Sequence, residues 1–170
     1  MSTQRHLLGR YLKGLAPGKL AWIGLRPAHK QEMICVSQVQ AIMDKGLEGD
    51  HRCGKTPGSG RQVTLISQEH IQLCEHLLTK DISPMQLRRN LVVCNINLFA
   101  LRHQIFSIGD AIFEGTAQCH PCSRMEKALG VSAVAALLGH SGMCAKIIKS
   151  GSIKIGDAVT LIHDNERQQS

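Results

Sequence analysis

The hydrophobic positions of this chain fall into short runs separated by glycine, proline and polar residues, a pattern typical of a mainly β domain. Runs rich in β-branched residues at 33–43, 62–66 and 91–96 each predict a strand. The last run, LVVCNI, is almost continuously apolar, which indicates a strand buried on both faces. The first run alternates only in part, and we interpret it as one strand.

Two later segments share the tetrapeptide IGDA, at 108–111 in HQIFSIGDAIFEGT and at 155–158 in GSIKIGDAVTLIH. Each segment predicts a strand, a Gly-Asp turn and a second strand. Glycine supplies the positive φ that a hairpin turn needs, and aspartate bonds to nearby backbone. The repetition favours repeated hairpins, as in a closed or nearly closed sheet.

Helices are predicted where a capping residue precedes an apolar period of three to four residues. Ser67 caps the first helix, and Ser83 followed by Pro84 begins a short second one. Ser123 and Glu126 fit a capping box at the start of the third. The predicted helices lie within 67–80, 83–90, 123–129 and 132–138. The fold class is therefore mainly β with α, a barrel-like mixed sheet with a few short helices.

The length and composition indicate one globular domain. The chain has 170 residues, of which 43% are hydrophobic and 19% charged, enough apolar residues for a sizeable core in a soluble protein. We expect an N-terminal segment at 1–20, a single domain at 21–163 and a C-terminal tail at 164–170.

The net charge of +7 favours anionic partners such as phosphorylated cofactors. Aromatic residues make up only 3% of the chain, too few for the stacking platforms of single-strand nucleic-acid binders. The longest apolar run, Val131 to Leu138, is too short to span a membrane. Residues 1–20 lack the apolar segment of a secretory signal. We expect a cytoplasmic protein with reduced cysteines, and neither nucleic acid nor membrane as a partner.

The segment GTAQCHPCSRMEKALG carries Cys119 and Cys122 directly before a predicted helix. Structural zinc normally takes two such pairs, and the absence of a second pair argues against zinc. A thioredoxin-like pair needs a helix that begins at the first cysteine, whereas the helix predicted here begins after the second, at Ser123. A single reactive thiol fits better, because the helix N-terminus and Arg124 favour a thiolate at Cys122. Cys119 is then a neighbouring or resolving thiol, and inert packing of both cysteines stays an alternative.

Two further groups of residues are candidates for anion binding. Arg88, Arg89 and Asn90 lie between a predicted helix and a buried strand, where two guanidinium groups and an amide suit a phosphate or a carboxylate. The alternative interpretation is that these residues form a solvated helix end, with arginine at its negative terminus. The glycine-rich loop at 45–61 is basic, and a loop of this length is typically functional or disordered. Its candidate binding residues are Lys45, His51 and Arg61.

The order of these motifs resembles one known family. IGLRPAHKQEM, GLEGDH, RQVTLIS, RRNLVV, IGDA, CHPCSRME and KIGDAVTLI follow one another from Ala21 to Ile162. Each motif is short, but seven in this order resemble the MOSC domain, the family named for the C-terminal domain of molybdenum cofactor sulfurase. The chain is similar to a small, stand-alone bacterial member.

The resemblance implies a strongly β, barrel-like fold and a role for one cysteine. Cys122 matches the family cysteine that ligates molybdenum in cofactor-binding members. Arg88 and Asn90 match an Arg-x-Asn element that helps to hold the pterin of the molybdenum cofactor, and Arg89 lies between them. The basic loop at 45–61 is expected to line the entrance.

This resemblance leads to two functional hypotheses and a third, weaker one. The first is a molybdenum-cofactor-dependent reductase of N-hydroxylated compounds that receives electrons from a separate protein. The second is a sulfur carrier in which Cys122 accepts sulfur as a persulfide from a pyridoxal-phosphate-dependent desulfurase, for the assembly of a metal–sulfur centre. The third is a binding module without chemistry.

Overall fold

A computed structural model describes residue 9 and residues 11–163, so the predicted tail at 164–170 and most of residues 1–10 lie outside the described part. The strands are β1 (Gly18–Leu25), β2 (Ile34–Cys35), β3 (Gln38–Ile42), β4 (Gly46–Leu47), β5 (Val63–Ser67), β6 (Leu91–Cys94), β7 (Ile105–Ile108), β8 (Ala111–Gln118), β9 (Met143–Lys149), β10 (Gly151–Lys154) and β11 (Ala158–Leu161). The helices are α1 (Gln68–Leu78), α2 (Pro84–Leu87), α3 (Ser123–Leu129) and α4 (Ala133–Leu137), with a 3₁₀ turn at Leu98–Leu101.

Seven strands form a closed mixed barrel, which confirms the predicted fold class. The hydrogen-bonded order is β11-β7-β8-β9-β5-β6-β1, and pairing of β1 with β11 closes the ring. The pair β5–β6 is parallel and the other pairs are antiparallel. The short strand β2 extends the sheet beside β1, and β10, β3 and β4 form a separate three-stranded sheet. Full closure leaves no unpaired edge in the ring itself.

The central strands β5 and β6 are buried on both faces, as the apolar run at 91–96 predicts. Leu91 and Val93 point into the main core inside the barrel, whereas Val92 packs in a second core beneath the helices. On β5, Leu65 belongs to the first core and Ile66 to the second. The parallel pair therefore forms the wall between the barrel interior and the helical layer.

The first two helices begin where the sequence predicts. The Ser67 side chain accepts a hydrogen bond from the backbone N–H of His70, 3.1 Å away. Ser83 forms a full capping box with Gln86, and Pro84 occupies the first turn of α2. Buried Ile71 of α1 contributes to the helical-layer core. No helix in the described part of the chain is long and apolar enough to cross a membrane.

The two later helices lie within their predicted bounds, but their N-terminal caps differ from the prediction. The N-cap of α3 is Cys122 rather than Ser123, and no side chain caps the helix, so the predicted capping box is wrong. Ser132 precedes α4 in a left-handed conformation (φ 72°) and makes no capping bond either. At α3 the N-cap position falls on a cysteine, which has no side-chain oxygen to accept the capping bond. At α4 the left-handed backbone of Ser132 differs from the extended backbone that an N-cap residue normally has.

Two strand predictions also need correction. Residues 33–43 form two strands, β2 and β3, which turn into different sheets. The first IGDA segment is a hairpin of β7 and β8, as predicted. The second is not a hairpin, because β10 pairs with β3 whereas β11 pairs with β7 and β1. Both turn glycines do have positive φ, 52° at Gly109 and 99° at Gly156.

Gly142 combines a positive φ of 97° with close backbone packing, because an added Cβ would collide with the carbonyl of Leu65. We expect Gly142→Ala to lower the free energy of unfolding by roughly 3 kcal/mol or more, since backbone strain and a clash add together. Gly130 has a similar φ of 100° but open space around it, so Gly130→Ala is the matched control and should cost less. Chemical denaturation measures both, and equal losses would contradict the clash.

Candidate functional site

A cavity of about 590 Å³ opens where several strand ends and the start of α3 meet. Seven of the side chains that line it are cationic: Arg26, Lys30, Arg52, Arg61, Arg88, Arg89 and Arg124. Its lining also includes His29, His51 and His120 but no aspartate or glutamate. Such a concentration of one charge in a concave site attracts anions strongly.

A buried carboxylate beneath this cavity fixes the arginine that follows β1. The Nε atom of Arg26 donates to Oδ2 of Asp50 over 2.9 Å, and Nη2 donates to Oδ1 over 3.2 Å. The backbone N–H groups of Arg26 and Arg52 also donate to this carboxylate. Burial by itself raises the pKa of Asp50, but the hydrogen bonds and charge of Arg26 outweigh it and hold the pKa below its usual value.

Asn90 completes this network from β6. Its Nδ2 donates to Oδ2 of Asp50 over 2.9 Å and to the Gly24 carbonyl over 3.1 Å. Its Oδ1 accepts from Arg26 and from the Thr64 hydroxyl, each over 3.0 Å. Both amide N–H groups and the amide oxygen are thus engaged by protein, and the side chain is buried. Asn90 therefore organises the arginine beside the cavity and is not among the residues that line it.

Arg88, Arg89 and Asn90 point in three different directions. Arg88 takes a left-handed conformation (φ 54°) at the end of α2 and reaches the cavity, where its Nη1 donates to the Gln31 carbonyl over 2.9 Å. Burial and the positive charges of Arg26 and Arg124 lower the pKa of Arg88.

Arg89 is a buried guanidinium that donates its hydrogen bonds to neutral groups of Ser141 and Leu87. It donates to the Ser141 carbonyl over 2.8 Å, to the Ser141 hydroxyl over 2.6 Å and to the Leu87 carbonyl over 3.1 Å. Burial lowers its pKa, and the nearby sulfur of Cys119 is the largest influence in the opposite direction. The charge of this arginine is therefore balanced in part by a thiolate.

The two cysteines of the CHPC segment lie in different environments. Cys122 is exposed and lines the cavity at the N-cap of α3. Cys119 is buried behind the wall, and Nη2 of Arg61 donates to its sulfur over 3.2 Å. A hydrogen bond from the Cys144 thiol lowers the pKa of Cys119 to about 5, against the effect of burial and with help from Arg89 and Arg61. The same interaction raises the pKa of Cys144, which keeps the proton.

The cavity brings together five of the residues that the sequence analysis proposes: His51, Arg61, Arg88, Arg89 and Cys122. Lys45 is exposed and does not line it. Cys119 and Asn90 lie behind its wall.

Sequence reasoning did not single out Arg26 and Arg52 for this site. Arg26 directly follows the buried end of β1, and a charged residue at that position could have drawn attention to it. Arg52 lies inside the basic loop that was proposed as a whole. Among the described residues, 9 and 11–163, no group of three or more His, Cys, Asp or Glu side chains could hold a metal ion.

The family model of the MOSC domain matches residues 49–160, about two thirds of the chain. The chain belongs to the MOSC domain family. This match includes the Asp50 carboxylate, the Arg88–Asn90 turn and both cysteines of the CHPC segment, so the MOSC match covers much of the cavity. No curated protein matches the sequence significantly.

Solved structures share the MOSC fold at low sequence identity. YuaD from Bacillus subtilis superposes with a TM-score of 0.76 at 16% identity, over 86% of this chain and 96% of that one. YiiM from Geobacillus stearothermophilus gives a TM-score of 0.69 at 15% identity, over 86% and 76% of the two chains. YiiM from Escherichia coli gives 0.65 at 18%, over 85% and 69%. At these identities the likeness concerns the fold.

The environment of Cys119 leads to a titration that can be measured. Because its pKa is lowered to about 5, the thiolate should be present at neutral pH and should disappear as the pH falls through that value. Ultraviolet thiolate absorbance of the wild type minus that of Cys119→Ser isolates this group. Cys144→Ala should raise the midpoint, since the main hydrogen-bond donor is lost.

Cys53→Ser is the control for this titration, because burial and Asp50 raise the pKa of Cys53 and keep it a neutral thiol. A difference spectrum between wild type and Cys119→Ser that develops only in alkaline solution would contradict the predicted thiolate.

Proposed function

We propose that this MOSC protein binds a molybdenum–pterin cofactor in the cationic cavity, with Cys122 as the protein ligand to molybdenum. The observation that carries the proposal is the combination, in one cavity of about 590 Å³, of an exposed thiol with seven cationic side chains and no carboxylate. MOSC domains in general are associated with this cofactor.

The residues that line the cavity fit the chemistry of a molybdenum–pterin cofactor. A phosphorylated pterin is an anion, and arginines recognise phosphate oxygens through paired hydrogen bonds. Thiolate sulfur is a suitable soft ligand for a transition metal. Arg88 and Arg124 lie on the cavity wall together with Cys122, so cationic and sulfur donors face one space. When bound, the cofactor would supply two-electron redox chemistry.

The protein's own residues have distinct tasks in this proposal. Arg26 stays in a fixed position because Asp50 and Asn90 hold its guanidinium on one side. Arg89 is held by two hydrogen bonds to Ser141 and would contribute a fixed positive charge to the cavity. Arg52 and Arg124 are exposed cations of the lining and, together with the half-buried Arg88, would contact the incoming anion.

The reaction that we propose is the reductive removal of oxygen from an N-hydroxylated compound. The N–O bond breaks, two electrons and two protons are consumed, and the products are the N–H compound and water. The electrons come from a separate donor protein, so the chain itself must provide a binding site and a path for protons.

Cys122→Ser tests the metal ligand directly. Protein purified from cells that make the cofactor should carry molybdenum, and Cys122→Ser should reduce the content to roughly a tenth or less, because the sulfur ligand is lost. Elemental analysis measures the metal. Cys35→Ser is the control, since Cys35 is also exposed but does not line the cavity. Equal molybdenum in all three proteins would overturn the assignment of Cys122.

A sulfur carrier is the second candidate, favoured by the exposure of Cys122 next to a second, ionised sulfur at Cys119. The Cys122 thiolate would attack the outer sulfur of a persulfide on a pyridoxal-phosphate-dependent desulfurase. A new S–S bond forms on Cys122 as the bond within the donor persulfide breaks, and the desulfurase thiolate leaves. No external oxidant or reductant is consumed in this step.

Incubation with a desulfurase and cysteine separates the two functions. A sulfur carrier should gain the mass of one sulfur atom on Cys122, seen by mass spectrometry of the intact protein and of its peptides, and should lose this gain on reduction. The gain should persist in Cys35→Ser and be absent from Cys122→Ser. A metal-free wild type that gains no sulfur would argue against both functions and leave a binding module.

A further inference from the structure

His51 stands out in the cavity because one of its ring nitrogens is buried without a hydrogen bond. Nδ1 is inaccessible to solvent and has no hydrogen-bond partner. Oδ1 of Asp50 lies 3.8 Å from it, too far for a hydrogen bond but close enough to attract the ring when it is protonated. The ring itself lines the cavity, so Nε2 is the nitrogen that faces a ligand.

The position of the imidazole is determined by the backbone and by the carboxylate network. The backbone N–H of His51 donates to the Arg26 carbonyl over 2.7 Å. Asp50, the preceding residue, is fixed in turn by Arg26 and Asn90. A buried carboxylate beside Nδ1 favours the tautomer with the proton on that nitrogen, which leaves the lone pair on Nε2.

From this geometry we propose that His51, oriented by Asp50, exchanges protons with the ligand in the cavity and takes up a proton when a polyanion binds. The first part rests on the proposed reductase function, which consumes protons. The second part requires only that the cavity binds an anion.

The charges around His51 explain why anion binding in the cavity would be linked to proton uptake by this residue. Burial lowers the pKa of His51, and the cations of Arg26, Lys55 and Arg52 lower it further, while Asp50 acts in the opposite direction. His29 stacks against the ring at a centroid distance of 6.3 Å and adds no negative charge.

The remaining charged groups that line the cavity are also positive. With no anion bound, the imidazole is therefore neutral at neutral pH. An anion bound among these cations offsets part of their positive charge, so protonation of His51 becomes easier and its pKa rises.

This arrangement suits a reaction that delivers protons only when ligand is present. The protonated Nε2 would donate to the oxygen that leaves as water, and the imidazole would be recharged from solvent through the open cavity. Because Nδ1–H stays beside Asp50 in both states, the ring keeps its orientation during the cycle.

The test of anion linkage uses inorganic phosphate as the probe and histidine NMR as the readout. The His51 signal is assigned by its absence from His51→Gln, a change at a ring whose Nδ1 makes no hydrogen bond in the described part of the chain. Saturating phosphate should raise the titration midpoint of His51 clearly more than that of His76, an exposed histidine on α1 outside the cavity. Equal or absent shifts would overturn the linkage.

The test of proton transfer uses the cofactor-loaded enzyme. In His51→Gln, kcat for an N-hydroxylated compound should fall roughly a hundredfold or more and lose the pH dependence that it shows in the wild type, with molybdenum content unchanged. A variant with wild-type kcat and pH profile would overturn this role while the reductase assignment stands. A wild type without reductase activity would overturn the reductase and, with it, the proton-transfer role, and the phosphate titration would still decide the linkage.

Discussion

The buried interaction of Asp50 with Arg26 and Asn90 is the constraint on which the site depends. It joins the end of β1, the loop after β4 and the start of β6, three segments far apart in sequence. Removing one member of a buried, hydrogen-bonded charge pair costs several kcal/mol, because the remaining group is left unpaired in the interior. The position of Arg26 on the cavity wall and the position of His51 both follow from this network.

The cavity carries a high positive charge because its counter-ions lie behind the wall instead of inside it. Asp50 neutralises Arg26 from below, and the Cys119 sulfur lies against Arg61. Asp50 and Cys119 accept hydrogen bonds from other groups of the protein and lie outside the cavity lining. The sides of Arg26 and Arg61 that face the cavity are therefore open to a ligand. The chain thus keeps its own carboxylates out of the lining of the cavity.

The sequence predicts the fold class and five of the seven ring strands, because strand patterning and turn glycines are local signals, but it predicts no strand for β1 or β9. It identifies Cys122 for the same reason, since that residue directly precedes a helix. It does not reveal the hydrogen bond between Cys119 and Cys144, because that contact joins the residue after β8 to β9, which lies far along the chain. It also does not separate Arg88, Arg89 and Asn90, whose side chains diverge through the left-handed conformation of Arg88. The split of residues 33–43 into strands of two different sheets is set by tertiary packing, which local propensity does not contain.

Closure of the barrel has a consequence for how the molecule folds. The ring is completed by β1 and β11, which pair at Gly18 with Val159 and at Lys19 with Ala158. These strands lie near opposite ends of the described chain, so their contact has one of the largest sequence separations in the domain. Such a contact closes a long loop and slows folding relative to proteins with local contacts. The cationic cavity depends on strand ends of this same ring, so it should form late on the folding pathway, after β1 and β11 have met.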